Sequence, residues 1–326
     1  MSSHKVLALL FVLQLALVAM TWWPRDHSAL APRPLFELES DAIQELRVEA
    51  SGDGEGVRLV REGRDWKVAS ASGYPANPEK VDELLDSLLA LRVTTPIATR
   101  ETSHNALKVG EDEYGKRVVI VAGDGAEIEL VIGAAARDSV HVREADASEV
   151  YVAKGLSEWS LQDRGDAYYD RSYVDTDAAT LSTLTVTNGK GTLTFVRDEV
   201  GWVLEGVEGP EGAGEVDQAA VDALIKALTK LNMSEPVGIE ALPQYALDGR
   251  VSVTWSAVES DQSFAGGYVV GADEGSFTFV KADGNPFVVK ANSSDLEALR
   301  SAQRSDFLVR DREDEAGAAA ARGAES

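Results

Sequence analysis

Apolar residues in the segment 81–97 (VDELLDSLLALRVTTPI) fall at positions 81, 84, 85, 88 and 91, the spacing of one buried helix face. The segment 221–237 (VDALIKALTKLNMSEPV) repeats that pattern at an offset of 140 without a gap. Val81/Val221, Asp82/Asp222, Leu84/Leu224, Leu88/Leu228, Leu91/Leu231 and Pro96/Pro236 coincide. Each copy therefore predicts one long amphipathic helix ended by its proline. Upstream, residues 57–66 and 193–202 alternate apolar and polar positions, with Val60/Val196, Arg61/Arg197 and Trp66/Trp202 matching at an offset of 136. That alternation predicts half-buried antiparallel strands joined by tight turns at Glu62-Gly63 and Asp198-Glu199. Downstream, Tyr151-Val152-Ala153-Lys154 is answered by Phe287-Val288-Val289-Lys290, and Arg164-Gly165-Asp166 more loosely by Arg304-Ser305-Asp306.

Internal repetition at this scale governs the reading of the whole chain. Each module reads as a strand (46–49; 184–187), a hairpin ending in Trp, a Gly/Pro-containing loop, the helix, a meander of strands and a short second helix (156–162; 294–304). The meander is expected at 117–122, 127–132, 139–143 and 150–153 in the first copy, with Asp124-Gly125 as a hairpin turn, and at 251–255, 268–270, 276–280 and 287–290 in the second. Helices on one face of an antiparallel sheet make the predicted class α+β, with two tandem modules at 38–170 and 171–309. The segment 310–326 is charged and then Ala/Gly-rich, and is expected to be a disordered tail.

Residues 6–23 (VLALLFVLQLALVAMTWW) carry no charge and follow His4 and Lys5. At 1.5 Å per residue they reach roughly 27 Å, close to the hydrocarbon thickness of a bilayer. They predict an N-terminal transmembrane signal-anchor after a cytoplasmic stretch, 1–5, and before a juxtamembrane linker, 24–37. A cleaved signal peptide ending at Ala29-Leu30-Ala31 is the competing reading. Ten residues lie between Met20 and Ala31, however, and include Trp22, Trp23, Arg25 and Asp26, which favours an uncleaved anchor. Trp22 and Trp23 suit the far membrane interface. Lys5 favours a cytoplasmic N-terminus while Arg25 and Arg33 weaken the asymmetry, and the body is placed in the periplasm or outside the cell.

Composition narrows the chemistry. The 326 residues carry 31 Lys+Arg against 55 Asp+Glu, a net charge of −24, which repels nucleic-acid phosphates. There is no cysteine, so thiolate catalysis, iron–sulfur ligation, Cys-based zinc sites and disulfides are excluded. The four histidines, His4, His27, His104 and His141, are scattered singly, and none pairs at the i, i+4 spacing of two ligands on one helix.

The order of an apolar span, LFELESDAIQELRVEA, VREGRDW, YPANPEKVDELLDSLLAL, LVIGAA and SEVYVAKG resembles the bacterial family catalogued as domain of unknown function 4340. Trp66, Pro75-Ala76-Asn77 before the helix, and Val150-Tyr151-Val152 carry most of the likeness. The second copy departs from it, with Pro210-Glu211-Gly212-Ala213-Gly214 where a tidy turn is expected. The resemblance implies a membrane-anchored module often associated with ABC-type transport systems of the gliding-motility kind. It supplies no catalytic residue.

The residues agree that no catalytic, cofactor or metal site is to be expected. Gly110-Glu111-Asp112-Glu113-Tyr114-Gly115-Lys116-Arg117 imitates a phosphate-binding loop, but Arg117 stands where a hydroxyl must ligate magnesium, and a β-type run follows where a helix should start. Residues 52–56 and 209–214 are Gly-rich turns, and Ser157 is read as a helix cap. Asp273-Glu274 and Asp283 are read as turn residues, and Trp66 and Trp202 as core rather than sugar platforms. The expectation is a non-enzymatic accessory or assembly subunit of an ABC-type transport or gliding-type envelope system. Its partners are the inner membrane, through 6–23, and a transporter permease or ATPase. The alternative is an envelope glycan- or peptide-binding protein, which a cleft lined by aromatics between the modules would favour.

Overall fold

A computed structural model describes residues 14, 31–52, 56–135, 138–206, 216–259 and 262–309. The first half runs β1 (Arg33–Pro34), β2 (Ile43–Ala50), β3 (Val57–Glu62), β4 (Asp65–Val68), β5 (Tyr74–Pro75), α1 (Pro78–Leu89), β6 (Arg92–Val93), β7 (Lys116–Ala122), β8 (Glu127–Ala134), β9 (Ser139–Glu144) and β10 (Tyr151–Lys154). The second runs β11 (Ser172–Asp175), β12 (Leu181–Asn188), β13 (Gly191–Arg197), β14 (Trp202–Leu204), α2 (Gln218–Leu228), β15 (Lys230–Asn232), β16 (Glu235–Gly238), β17 (Val251–Glu259), β18 (Gln262–Glu274), β19 (Phe277–Ala282), β20 (Val288–Asn292) and α3 (Glu297–Ser301). One eight-stranded sheet has the order β10-β9-β8-β7-β2-β3-β4-β5, and the other β14-β13-β12-β17-β18-β19-β20-β16. Read from opposite edges, the two orders correspond strand for strand, apart from β5 at one rim and β16 at the other. Two short pairs, β1 with β6 and β11 with β15, complete the strands.

The α+β expectation is corrected: the described residues are mostly antiparallel β-sheet, with three short α-helices. The helices are not long. α1 has 12 residues and α2 has 11, and neither is ended by its proline. After Ala90 the chain turns extended, because Val93, Thr94 and Thr95 form a β-favouring run and Arg92–Val93 pairs with β1. After Leu228, buried Thr229 returns its hydroxyl to Ile225 O at 2.9 Å, and Lys230–Asn232 pairs with β11. Pro236 is itself a strand residue, on edge strand β16 opposite Val289, where a missing N–H is tolerated. The expected helix at 156–162 is a single 3-10 turn, Glu158–Ser160, and α3 has five residues. No helix among the described residues is long and apolar enough to cross a membrane, which says nothing of a strand-built crossing. The segment 6–23, apart from Gln14, and the tail 310–326 lie outside the described residues.

Each helix buries four apolar residues on its sheet, Val81, Leu84, Leu85 and Leu88 in α1 and Val221, Leu224, Ile225 and Leu228 in α2. Each such side chain contributes about 1.5–3 kcal/mol when fully buried. Asn77 caps α1 by accepting from Lys80 N, and Asp217 caps α2 by accepting from Ala219 N and Ala220 N. The first strand of each sheet carries an extra residue, Gln44 in β2 and Ser182 in β12, where the register slips. This bulge lets Ile43 and Leu46, and likewise Leu181 and Leu184, face the core although three positions apart. Trp66 and Trp202 are both buried, with the Arg61 and Arg197 guanidinium groups 4.8 and 5.3 Å from their ring centres.

Candidate functional site

The two halves meet at β5 and at the 3-10 turn Ala69–Ala71 before it, which packs on β16. Tyr74, in β5 of the first sheet, is buried in the core of the second half, edge-on to Phe287 at 5.0 Å and to Tyr169 at 5.9 Å. Burial pushes its phenol well above the ordinary tyrosine range. The segment that follows β10 locks this arrangement, with Asn77 N donating to Tyr168 O at 2.7 Å and Asp170 N to Pro75 O at 3.0 Å. Tyr173 completes the seam: its hydroxyl donates to Phe287 O at 2.7 Å and accepts from Ala282 N at 2.9 Å. Burial pushes that phenol up to about 12, the hydrogen bond from Ala282 acting in the opposite sense.

Beside this seam lies a cleft of about 470 Å³, lined from the second half by Trp255, Gly266, Gly267, Tyr173 and the turn Asp283–Phe287, and from the first by Lys67 and Pro75. Its floor follows from one cross-strand pair. In the first sheet Ile120 stands opposite Ile128, and in the second the corresponding pair is Trp255 opposite Gly266. A Cβ on Gly266 would lie 3.0 Å from the indole, so the missing side chain is what lets the ring lie across β18. Polar groups stand at the rim. Asp283 is exposed, and Asn285 Oδ1 is occupied by Phe287 N at 3.0 Å, which turns its amide NH2 to other partners. Asp175 is ion-paired with Lys230 at 3.3 Å.

A second cleft, about 530 Å³, is bordered by Glu101, His104, Glu111, Asp112, Asp146 and Arg143. Arg143 is buried, and burial pulls its guanidinium below the ordinary arginine range. It donates to the carbonyls of Val109, Glu144, Ala145 and Ala147. Lys281, at the equivalent place in the second half, donates to Asn285 O in the same manner. The cation thus closes a hairpin turn in both halves. His104 Nε2 lies 3.0 Å from Ser148 O and His141 Nδ1 3.1 Å from Leu107 O, so each ring is held to a backbone carbonyl, and the two are not brought together around one site.

The other residues singled out by sequence are separated in the same way. Lys116 of the phosphate-loop imitation is ion-paired with Asp163 at 3.0 Å, and Arg117 with Glu129 at 2.9 Å, at the start of strand β7. Of the Gly-rich stretches, residues 53–55 and the whole of 209–214 lie outside the described residues. Ser157 caps the 3-10 turn by accepting from Ser160 N. Asp273 and Glu274 are corrected from turn to strand: they end β18, and Asp273 holds Arg300 at 2.6 Å. That guanidinium, with the Thr278 hydroxyl, keeps the Asp273 carboxyl below its usual range. No group of three or more His, Asp or Glu residues placed to hold a metal ion occurs among the described residues.

The matched tryptophans Trp66 and Trp202 stand out in the sequence, and Trp255 does not stand out beside them. The signals were present: Trp255 has no matching tryptophan in the first copy, and Gly266-Gly267 places two bare residues inside the long strand β18. No curated protein and no solved structure matches the chain. A family profile, that of a domain of unknown function, DUF4340, matches residues 66–248, more than half of the chain and parts of both halves, and the chain belongs to that family.

Proposed function

We propose that this protein is a non-enzymatic accessory or assembly subunit of an ABC-type transport or gliding-type envelope system, built by tandem duplication of one module. In this reading residues 6–23 hold it at the inner membrane, and the body stands in the periplasm or outside the cell. The observation that carries it is the Tyr74 seam, which buries a residue of one sheet in the core of the other, the two sheets having matching strand order; in this reading the seam fixes the halves relative to one another for presentation to a partner. Detergent-solubilised membranes, affinity-purified through the full chain, should yield a transporter permease or ATPase in stoichiometric amount. Recovery of the protein alone, together with protease protection placing the body in the cytoplasm, contradicts the reading. A second reading, an envelope binding protein for a glycan or peptide, is favoured by the Trp255 cleft at the seam.

A further inference from the structure

We propose that the cleft beside Trp255 binds a neutral saccharide. The inference rests on the second reading and does not depend on which membrane partner the body engages. The first half provides the internal reference: where it closes the sheet with Ile120 against Ile128, the second half substitutes an indole over a bare glycine. An indole offers a flat apolar face with a polar edge, the surface on which the C–H face of a pyranose stacks. At about 470 Å³ the cleft falls within the range of about 300–1,000 Å³ usual for small-ligand sites.

The rim selects for hydroxyl groups. Asp283 supplies acceptors and the Asn285 amide supplies donors from the turn between β19 and β20, and Lys67 supplies an ammonium from the other half, so all three line the same cleft as the ring. An anionic sugar is disfavoured by the carboxylates of Asp175 and Asp283 at the cleft and by a chain charge of −24. Trp255 lies on β17, which is paired on both sides, whereas β18 from Gln262 to Gly266 pairs among the described residues only with β17, so an extended peptide added at that edge is the competing occupant that the peptide arm of the titration detects.

The test is titration of the detergent-solubilised full chain with cellobiose, chitobiose and maltose, read by tryptophan fluorescence and calorimetry, with an uncharged peptide set run in parallel. Saturable millimolar binding of at least one disaccharide is expected. Trp255→Ala should weaken it tenfold or more, a loss of about 1.4 kcal/mol or greater. Trp159→Ala, at a tryptophan 87% exposed elsewhere, should leave it unchanged. Asn285→Ala and Lys67→Ala, rim changes that leave the indole in place, should each weaken binding severalfold, and they decide the matter if Trp255→Ala fails to melt cooperatively. The proposal is overturned if no disaccharide binds, if binding survives these substitutions in folded variants, or if only peptides bind. Each of those results leaves the membrane pull-down free to succeed or fail by itself.

Discussion

The two sheets share a frame and differ in what covers it. On the outer face of the first, Glu45 is gripped by Arg58 at 2.7 Å and by Arg47 at 2.5 Å, and Arg47 reaches Glu127 at 3.5 Å. The same place in the second sheet carries hydroxyls: Thr183 to Ser256 at 2.6 Å, Ser182 to Ser256 at 3.0 Å, and Thr185 to Thr194 at 3.4 Å. Ion pairs and hydroxyl ladders thus satisfy equivalent strands. What the halves keep in common is mechanical: the bulge in the first strand, the Arg–Trp stack, and a glycine under a left-handed loop residue. In the first half Lys108 has φ 57° and the loop backbone presses on Gly133. In the second Ala246 has φ 48° and the loop presses on Gly271. The frame is therefore set by packing and backbone geometry. Distinctive chemistry sits where the copies diverge, at Trp255–Gly266 and at Tyr74.

The largest effect is expected at the seam. Tyr74→Ala empties an aromatic site in the core of the other half and should cost about 3–5 kcal/mol, with the single denaturant transition separating into two. One unchanged transition would show that the halves are coupled elsewhere. Next is the loop contact: a Cβ on Gly271 meets Tyr245 O at 1.9 Å and one on Gly133 meets Leu107 O at 2.4 Å. Gly271→Ala and Gly133→Ala should each cost about 1–3 kcal/mol by displacing the loop, whereas Gly123→Ala, with its nearest neighbour at 3.5 Å, should be nearly silent. Equal effects at all three positions would remove the shared contact from the comparison.

A gain is expected at Tyr268, whose hydroxyl is buried without a hydrogen-bond partner among the described residues, while the first sheet has Leu130 at the equivalent place. Burial drives that phenol far above the ordinary range, so it stays neutral throughout. Tyr268→Phe should raise stability by about 1 kcal/mol in thermal unfolding. A loss would mean the hydroxyl is satisfied.

The smallest effect separates the outer faces by acid. Hydrogen bonding to Arg58, then to Arg47, holds Glu45 below its ordinary value, against a contribution from burial that raises it. A depressed carboxylate contributes stability above its unfolded pKa of about 4.3 and loses it as pH falls through the folded value. Hydrogen exchange at low pH should therefore loosen β2 and β3 before β12 and β13. The order should disappear in Glu45→Thr.

Much of this frame was legible in the residues. The helix stripes at 81–88 and 221–228, the hairpins and the meander follow directly from apolar spacing, whereas Trp66 and Trp202 stand at the start of the returning strands β4 and β14 and do not end the hairpins. The length of the helices was not, because the spacing continues through Leu91 and Leu231 while β-branched neighbours and a waiting partner strand turn the backbone extended. The bulges at Gln44 and Ser182 were hidden because they change the phase of alternation without changing composition. The candidate site was missed for a related reason: a matched tryptophan draws attention to what the copies share, and the cleft depends on an unmatched one. Tyr74 could not be assigned to the neighbouring core from local pattern, since nothing in two strand residues specifies which half will bury them.

The central claim is that the seam makes the two halves one rigid body, and the absence of cysteine makes it directly measurable. Spin labels on cysteines introduced at Asp82 and Asp222, exposed positions on α1 and α2, report the distance between the halves by pulsed electron resonance. A single narrow distribution that broadens in Tyr74→Ala is the predicted result. A broad or multimodal distribution in the otherwise unaltered chain would contradict it.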